Sequence, residues 1–170
     1  MIILAVDSSH KDLSLTLKDE ENIITKIYNK DGRHSEIFLE AVHEILEKSN
    51  LQISSLSGIL FNKGPASFTG TRVAASSLQA IGYSINIPVI GISSLEVIAH
   101  VYLVDSKKRR FACAKYAYGN KYFTASFENV KKLRQIKDTS LAEIDLIDTS
   151  HDEHLIINGE LSKYLQEKSI

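Results

Sequence analysis

The stretch Gly64-Pro65-Ala66-Ser67-Phe68-Thr69-Gly70-Thr71-Arg72 gathers residue types that can hold an anion. Gly64 and Gly70 permit positive φ angles, and Pro65 stiffens the turn. Ser67 or Thr69 can cap a helix that starts here. Free amides at such a start, with Arg72 in the first turn, attract negative charge. The pattern is not a nucleotide P-loop, which needs four residues between its glycines and then Lys-Ser/Thr. Here five intervene, and Thr71-Arg72 follow. The plainer alternative is a structural turn. Asp7-Ser8-Ser9 closes an apolar run, at the kind of strand end where ligands of α/β sheets bind. Asp7 can orient a metal-bound water beside a nucleotide phosphate, or simply start a turn on its own backbone. The candidate nucleotide- or anion-binding residues are therefore Asp7, Ser8, Gly64, Ser67, Thr69, Gly70 and Arg72.

The histidines are His10, His34, His43, His100, His151 and His154. His151-Asp152-Glu153-His154 looks metal-like, but no third ligand is nearby, and solvated surface is the simpler reading. His34 precedes Ser35-Glu36 at a helix start, as a capping or interface residue. No nucleophile elbow marks a serine, and no helix carries His-Glu-x-x-His. No catalytic residue, metal ligand or resident cofactor is assigned.

The elements that position these residues follow from periodicity. Residues 2–6 form a short apolar run, a buried strand rather than a signal peptide. Leu13, Leu15 and Leu17 alternate with polar residues, and Ile23 to Tyr28 returns after the turn Asp19-Glu20-Glu21-Asn22. Three such strands make an antiparallel meander. A helix over His34–Lys48 places Ile37, Phe38, Ala41, Val42, Ile45 and Leu46 on one stripe. Leu56–Phe61, a helix over Thr69–Ser84, Ile87–Ile92 and a helix over Ser94–Val104 follow. This alternation implies parallel crossovers added to one mixed sheet, an α/β fold. A first lobe spans 1–105. After the charged linker Ser106–Arg110, a shortened second lobe spans 106–170. It begins with a hairpin around Gly119-Asn120, weakens in pattern after Asn129, then offers a strand at Leu155–Ile157 and a closing helix over Glu160–Glu167.

The second helix is rich in small side chains, which permit either a tight contact with its own sheet or a partner seam. Candidate interface residues are Ile37, Phe38 and Ala41 on the first helix, and Val73, Ala74, Ser77, Leu78 and Ile81 on the second. Acids and bases balance at a net charge of −1, which supplies no broad basic face for gripping nucleic acid alone. Cys113 is the single cysteine, so no intramolecular disulfide forms, and a reducing compartment fits. No apolar run reaches the roughly 18 residues that span a bilayer, so a cytoplasmic protein without a membrane partner is expected.

Four motifs occur in order: Ile3-Leu4-Ala5-Val6-Asp7-Ser8-Ser9, His34-Ser35-Glu36, Gly64 to Arg72, and Ile87-Pro88-Val89-Ile90-Gly91-Ile92-Ser93-Ser94-Leu95-Glu96. Over about residues 1–100 the chain resembles the bacterial TsaB (YeaZ) family, whose pattern reads ILAIDTS, HSE, GPGSFTGLR and IPVVGVSSLE. The resemblance implies an actin-like ATPase fold of two ribonuclease-H-like lobes. It also implies a noncatalytic scaffold in making N6-threonylcarbamoyladenosine (t6A) at position 37 of ANN-decoding tRNAs. The implied partners are a TsaD-type paralogous transferase, a TsaE-type P-loop ATPase and a second copy of the chain. Contact with tRNA is implied only through the complex, and any nucleotide would bind at a complex interface. The paralogue carries His-Met-Glu-Gly-His after its Pro-containing strand. Ser94-Leu95-Glu96-Val97-Ile98 stands there in this chain, without the two histidines. The second lobe departs from the family: Tyr116-Ala117-Tyr118 replaces Asp-Ala-Arg, and Lys121 replaces a Glu. The alternative is a stand-alone actin-fold kinase or ATPase for a small molecule, which needs two full lobes.

Overall fold

Strands β1 (Ile3–Asp7), β2 (Asp12–Lys18) and β3 (Ile23–Asn29) form the expected meander, with Leu4 opposite Leu17, Val6 opposite Leu15 and Thr16 opposite Thr25. The computed structural model describes residues 1–29, 33–66, 68–105, 109–130, 132–143 and 155–158. Asp19 turns the chain from β2 to β3 by accepting the amides of Glu21 and Asn22 at 2.8 and 2.6 Å. Those amides, Asn22's foremost, hold its carboxyl below the usual carboxylate range.

Helix α1 (His34–Lys48), strand β4 (Gly58–Asn62), helix α2 (Phe68–Ser84) and strand β5 (Val89–Ile92) complete the first unit. β4 lies parallel to β1, and β5 parallel to β4, so the sheet runs β3-β2-β1-β4-β5. Alternate residues of the central strands, Leu4, Val6, Leu13, Leu15, Ile59 and Phe61, join Phe38, Val42, Ile45, Ala74 and Leu78 in one core. Burying each large side chain contributes about 1.5–3 kcal/mol. Gly82 lets α2 approach β5 closely, since a Cβ there would stand 2.2 Å from Val89 Cγ2. Each of these two helices is followed by an asparagine in the left-handed region, Asn50 at φ 52° and Asn86 at φ 56°. The next amides, Leu51 and Ile87, close back on the carbonyls of Leu46 and Gly82.

The second unit holds helix α3 (Ser94–Asp105) and strands β6 (Arg110–Tyr118), β7 (Lys121–Asn129), β8 (Leu133–Glu143) and β9 (Leu155–Asn158). Its sheet runs β8-β7-β6-β9, with β9 parallel to β6 and the other pairs antiparallel. Leu95 and Ala99 of α3 pack with Phe111, Cys113, Ala125 and Phe127. The rings of Phe111 and Phe127 stack with centroids 6.0 Å apart. Glu128, buried beyond this core, accepts from Arg110 at 3.0 Å and from Arg134 at 2.7 Å. Arg134, then Arg110, pulls its carboxyl below the usual range.

Two expectations need correction. The compact units are Met1–Ser93 and Ser94–Ile170, not 1–105 and 106–170. Helix α3 belongs with the second unit because its apolar residues are buried there. The weakly patterned stretch after Asn129 contains an eleven-residue strand, β8. Its hydrophobic alternation is faint because most of its residues are exposed at a sheet edge. The expected closing helix and the His151/His154 pair lie outside the described residues.

Candidate functional site

Asp7, Asn62 and Ser9 meet where β1 and β4 end side by side. Asp7 Oδ1 accepts the Ser9 amide at 2.8 Å, and Asp7 Oδ2 accepts from Asn62 Nδ2 at 3.2 Å. The same Asn62 nitrogen lies 3.3 Å from Ser9 Oγ, and Asn62 Oδ1 accepts the Gly64 amide at 2.9 Å. Asn62, which the sequence reading passed over, is thus the hub of the loop. The signal was a polar residue ending an otherwise apolar strand. Gly64 sits at φ 95°, a conformation that favours glycine, and its bond to Pro65 is cis.

A second junction ties this turn to the two helices. Ser8, 1% exposed, donates its hydroxyl to the Gly70 carbonyl at 2.9 Å. His34, 2% exposed, donates from Nε2 to the Lys11 carbonyl at 2.9 Å. Its Nδ1 has no hydrogen-bond partner among the described residues. A Cβ on Gly70 would stand 2.4 Å from the Ser8 carbonyl oxygen and 2.9 Å from His34 Nδ1. Glycine is therefore required at this crossing. His34 neither caps α1 nor reaches an interface, which corrects the sequence expectation. It latches the β1–β2 turn instead.

The candidate anion residues divide accordingly. Ser8, Gly64 and Gly70 are buried in the scaffold of the loop, and Asp7 is half-buried within it. Thr69 and Arg72 are exposed at the start of α2. Ser67 lies outside the described residues.

The interface candidates divide more sharply. Phe38, Ala41, Ala74, Leu78 and Ile81 are buried in the core of their own unit and cannot meet a partner. The most apolar stripe of a helix packs on its own sheet. Ile37, Val73 and Ser77 are half-buried. The outward residues are Leu39, 65% exposed, and Tyr83, 92% exposed, with the small Ser76 and Ala80 also facing solvent. Their signal in sequence was an apolar residue off the stripe.

Residues 94–98 do not fit a divalent metal. Ser94 Oγ accepts from the ammonium of Lys115 at 3.1 Å, with Lys115 7% exposed. Neither Ser94 nor Ile98 is a good ligand for a divalent metal. Among the described residues no group of His, Cys, Asp and Glu forms a metal cluster.

A meander followed by two parallel crossovers, with α1 and α2 packed on the sheet, defines a ribonuclease-H-like lobe of the actin-like ATPase class. Residues 25–153 match the family described as TsaD: tRNA N6-adenosine threonylcarbamoyltransferase. The tRNA threonylcarbamoyladenosine biosynthesis protein TsaB of Bacillus subtilis is 35% identical over 100 residues, covering 58% of this chain and 44% of that protein. Its namesake in Buchnera aphidicola from Acyrthosiphon pisum is 29% identical over 126 residues, covering 68% and 57%. The chain thus spans about half the length of these relatives. The solved structure of YeaZ from Pseudomonas aeruginosa superposes with a TM-score of 0.76 at 17% identity, covering 99% of this chain and 93% of that one. This chain belongs to the threonylcarbamoyltransferase family, on its TsaB (YeaZ) branch. Among the described residues, no helix is long and apolar enough to cross a membrane.

Proposed function

We propose that the chain is the noncatalytic partner of a TsaD-type transferase that makes t6A at position 37 of ANN-decoding tRNAs. A TsaE-type ATPase is the third member, and tRNA is met only through the complex. The names of the TsaB relatives support the pathway. The observation that carries the noncatalytic half is the buried Lys115 ammonium on Ser94, at the stretch where the paralogue has its histidine pair. The paralogue docks on the solvent side of α1 and α2, where Leu39 and Tyr83 supply exposed apolar area and Ser76 and Ala80 allow close approach. No resident cofactor is part of this reading. A nucleotide phosphate brought to the complex would meet Thr69 and Arg72 at the start of α2.

Reconstitution tests the proposal. The purified chain with tRNA, threonylcarbamoyl-adenylate and divalent metal yields no modified adenosine, and addition of the TsaD-type paralogue restores it. Product from the chain alone overturns the reading.

A further inference from the structure

Strands β6, β7 and β8 bring three charged residues into one row: Arg110 stands opposite Glu128, and Glu128 opposite Arg134. Glu128 is 5% exposed, and a buried carboxylate needs a cation beside it. One guanidinium suffices for that, yet the row holds two. Arg110 Nε donates to Oε1 at 3.0 Å, and Arg134 donates from Nε and Nη2 to Oε2 at 3.1 and 2.7 Å. Both arginine side chains are half or more exposed. Among the described residues, both Nη groups of Arg110 and the Nη1 group of Arg134 have no further partner. Arg109 and Lys132 are exposed at the same end of the sheet. The Asn129 amide donates to the Arg109 carbonyl at 2.8 Å, which sets Arg109 beside the connection from β7 to β8. Four cations thus share that end with one carboxylate, in a chain whose net charge is −1. Asp138 and Glu143 lie farther along β8.

We propose that this end of the second sheet is a docking patch for the phosphate backbone of RNA. Arg110 and Arg134 grip phosphate oxygens with their remaining guanidinium N–H groups, and Arg109 and Lys132 add charge. Guanidinium forks match phosphate oxygens. Glu128 fixes two of them in advance, so less side-chain freedom is lost on binding. Contacts of this kind position an RNA without reading its sequence. Val130 is the exposed large apolar residue beside the row, too little apolar area for a lipid surface or a protein seam. The inference rests on the function proposed above: the RNA is the tRNA held by the complex, and this is the contact that the chain itself supplies. Four cations make a small patch, so it acts within the complex and not alone.

The complex reconstituted with the TsaD-type paralogue tests it. Arg109→Glu with Lys132→Glu reverses two charges that hold no ion pair among the described residues. The variant complex should bind tRNA at least tenfold more weakly at low salt, and the slope of log Kd against log salt should fall by about two. KM for tRNA should rise with kcat unchanged, and the paralogue should still co-purify. Lys121→Glu, at the opposite end of β7, should leave tRNA affinity unchanged. Circular dichroism checks folding, and Arg109→Gln with Lys132→Gln is the milder pair should the reversal fail to fold. Native tRNA affinity in the folded variant, or an equal loss with Lys121→Glu, overturns the proposal. So does a variant that binds tRNA normally but no longer binds vesicles of phosphatidylcholine and phosphatidylglycerol, which assigns the patch to a lipid headgroup. Binding and t6A formation are read separately. A native complex that binds tRNA without modifying it sinks the function proposed above, whereas retained affinity in the variant sinks the patch alone.

Discussion

Ser8 and Gly70, 62 residues apart in sequence, are joined by a buried hydrogen bond of 2.9 Å from the serine hydroxyl to the glycine carbonyl. This bond holds the turn after β1 against the first turn of α2. Ser8→Ala leaves the carbonyl buried without that donor and should cost about 1–3 kcal/mol in urea unfolding, with m unchanged. Gly70→Ala should cost more, because its Cβ meets backbone at 2.4 Å and something must shift. Equal stability of Gly70→Ala and the native chain would show that the crossing is looser than the geometry indicates.

Asn62 donates to Asp7 and accepts from Gly64, so Asn62→Asp sets two carboxyl groups side by side. Their repulsion raises the pair's pKa in the folded state above the unfolded value of about 3.9. The folded variant then binds more protons than the unfolded one, so its stability falls as pH rises through that folded pKa. Each unit of upward shift costs about 1.4 kcal/mol at neutral pH. Melts between pH 4 and pH 8 should show a widening deficit against the native chain. A constant deficit would place the cost in lost hydrogen bonds alone.

Glu44 accepts from Lys26, Tyr28 and Lys48, and these contacts, Lys26's foremost, pull its carboxyl down to about 2. The same carboxylate, after burial, raises the Tyr28 phenol. A depressed carboxyl stabilises the fold above its unfolded pKa of about 4.3, and that stability is lost as pH falls toward 2. Glu44→Gln should therefore lower the melting temperature at pH 6 and converge with the native chain only as pH falls to about 2 and below. Parallel curves would count against the cluster.

Phe38 and Leu39 are neighbours in sequence with opposite fates. Phe38→Ala removes a core ring and should cost about 3–5 kcal/mol. Leu39→Arg and Ala80→Arg should each change stability by about 0.5 kcal/mol or less. Both surface variants should nonetheless lose co-purification with the TsaD-type paralogue, since an unpaired charge at a buried seam is costly. Retained co-purification would move the docking face elsewhere.

The first unit was legible in sequence because local periodicity and tertiary burial agree there. Leu13, Leu15 and Leu17 alternate because one face of β2 is covered, and the stripe on α1 is the stripe its sheet buries. The Gly64–Arg72 motif and the turn at Asp7 were visible as residue types with special backbone requirements. Three matters lay beyond the sequence. Periodicity marks α3 as a helix but not which sheet it packs on, and only contacts with Phe111 and Phe127 decide that. An apolar stripe names the side of a helix that is buried, not the partner that buries it. Phe38 and Leu78 therefore went to the core, and the outward surface fell to Leu39 and Tyr83. The roles of Ser8, His34 and Asn62 are set by partners up to 62 residues away. Hydrogen bonds between segments distant in the chain leave no period in it, so only the tertiary structure could assign them.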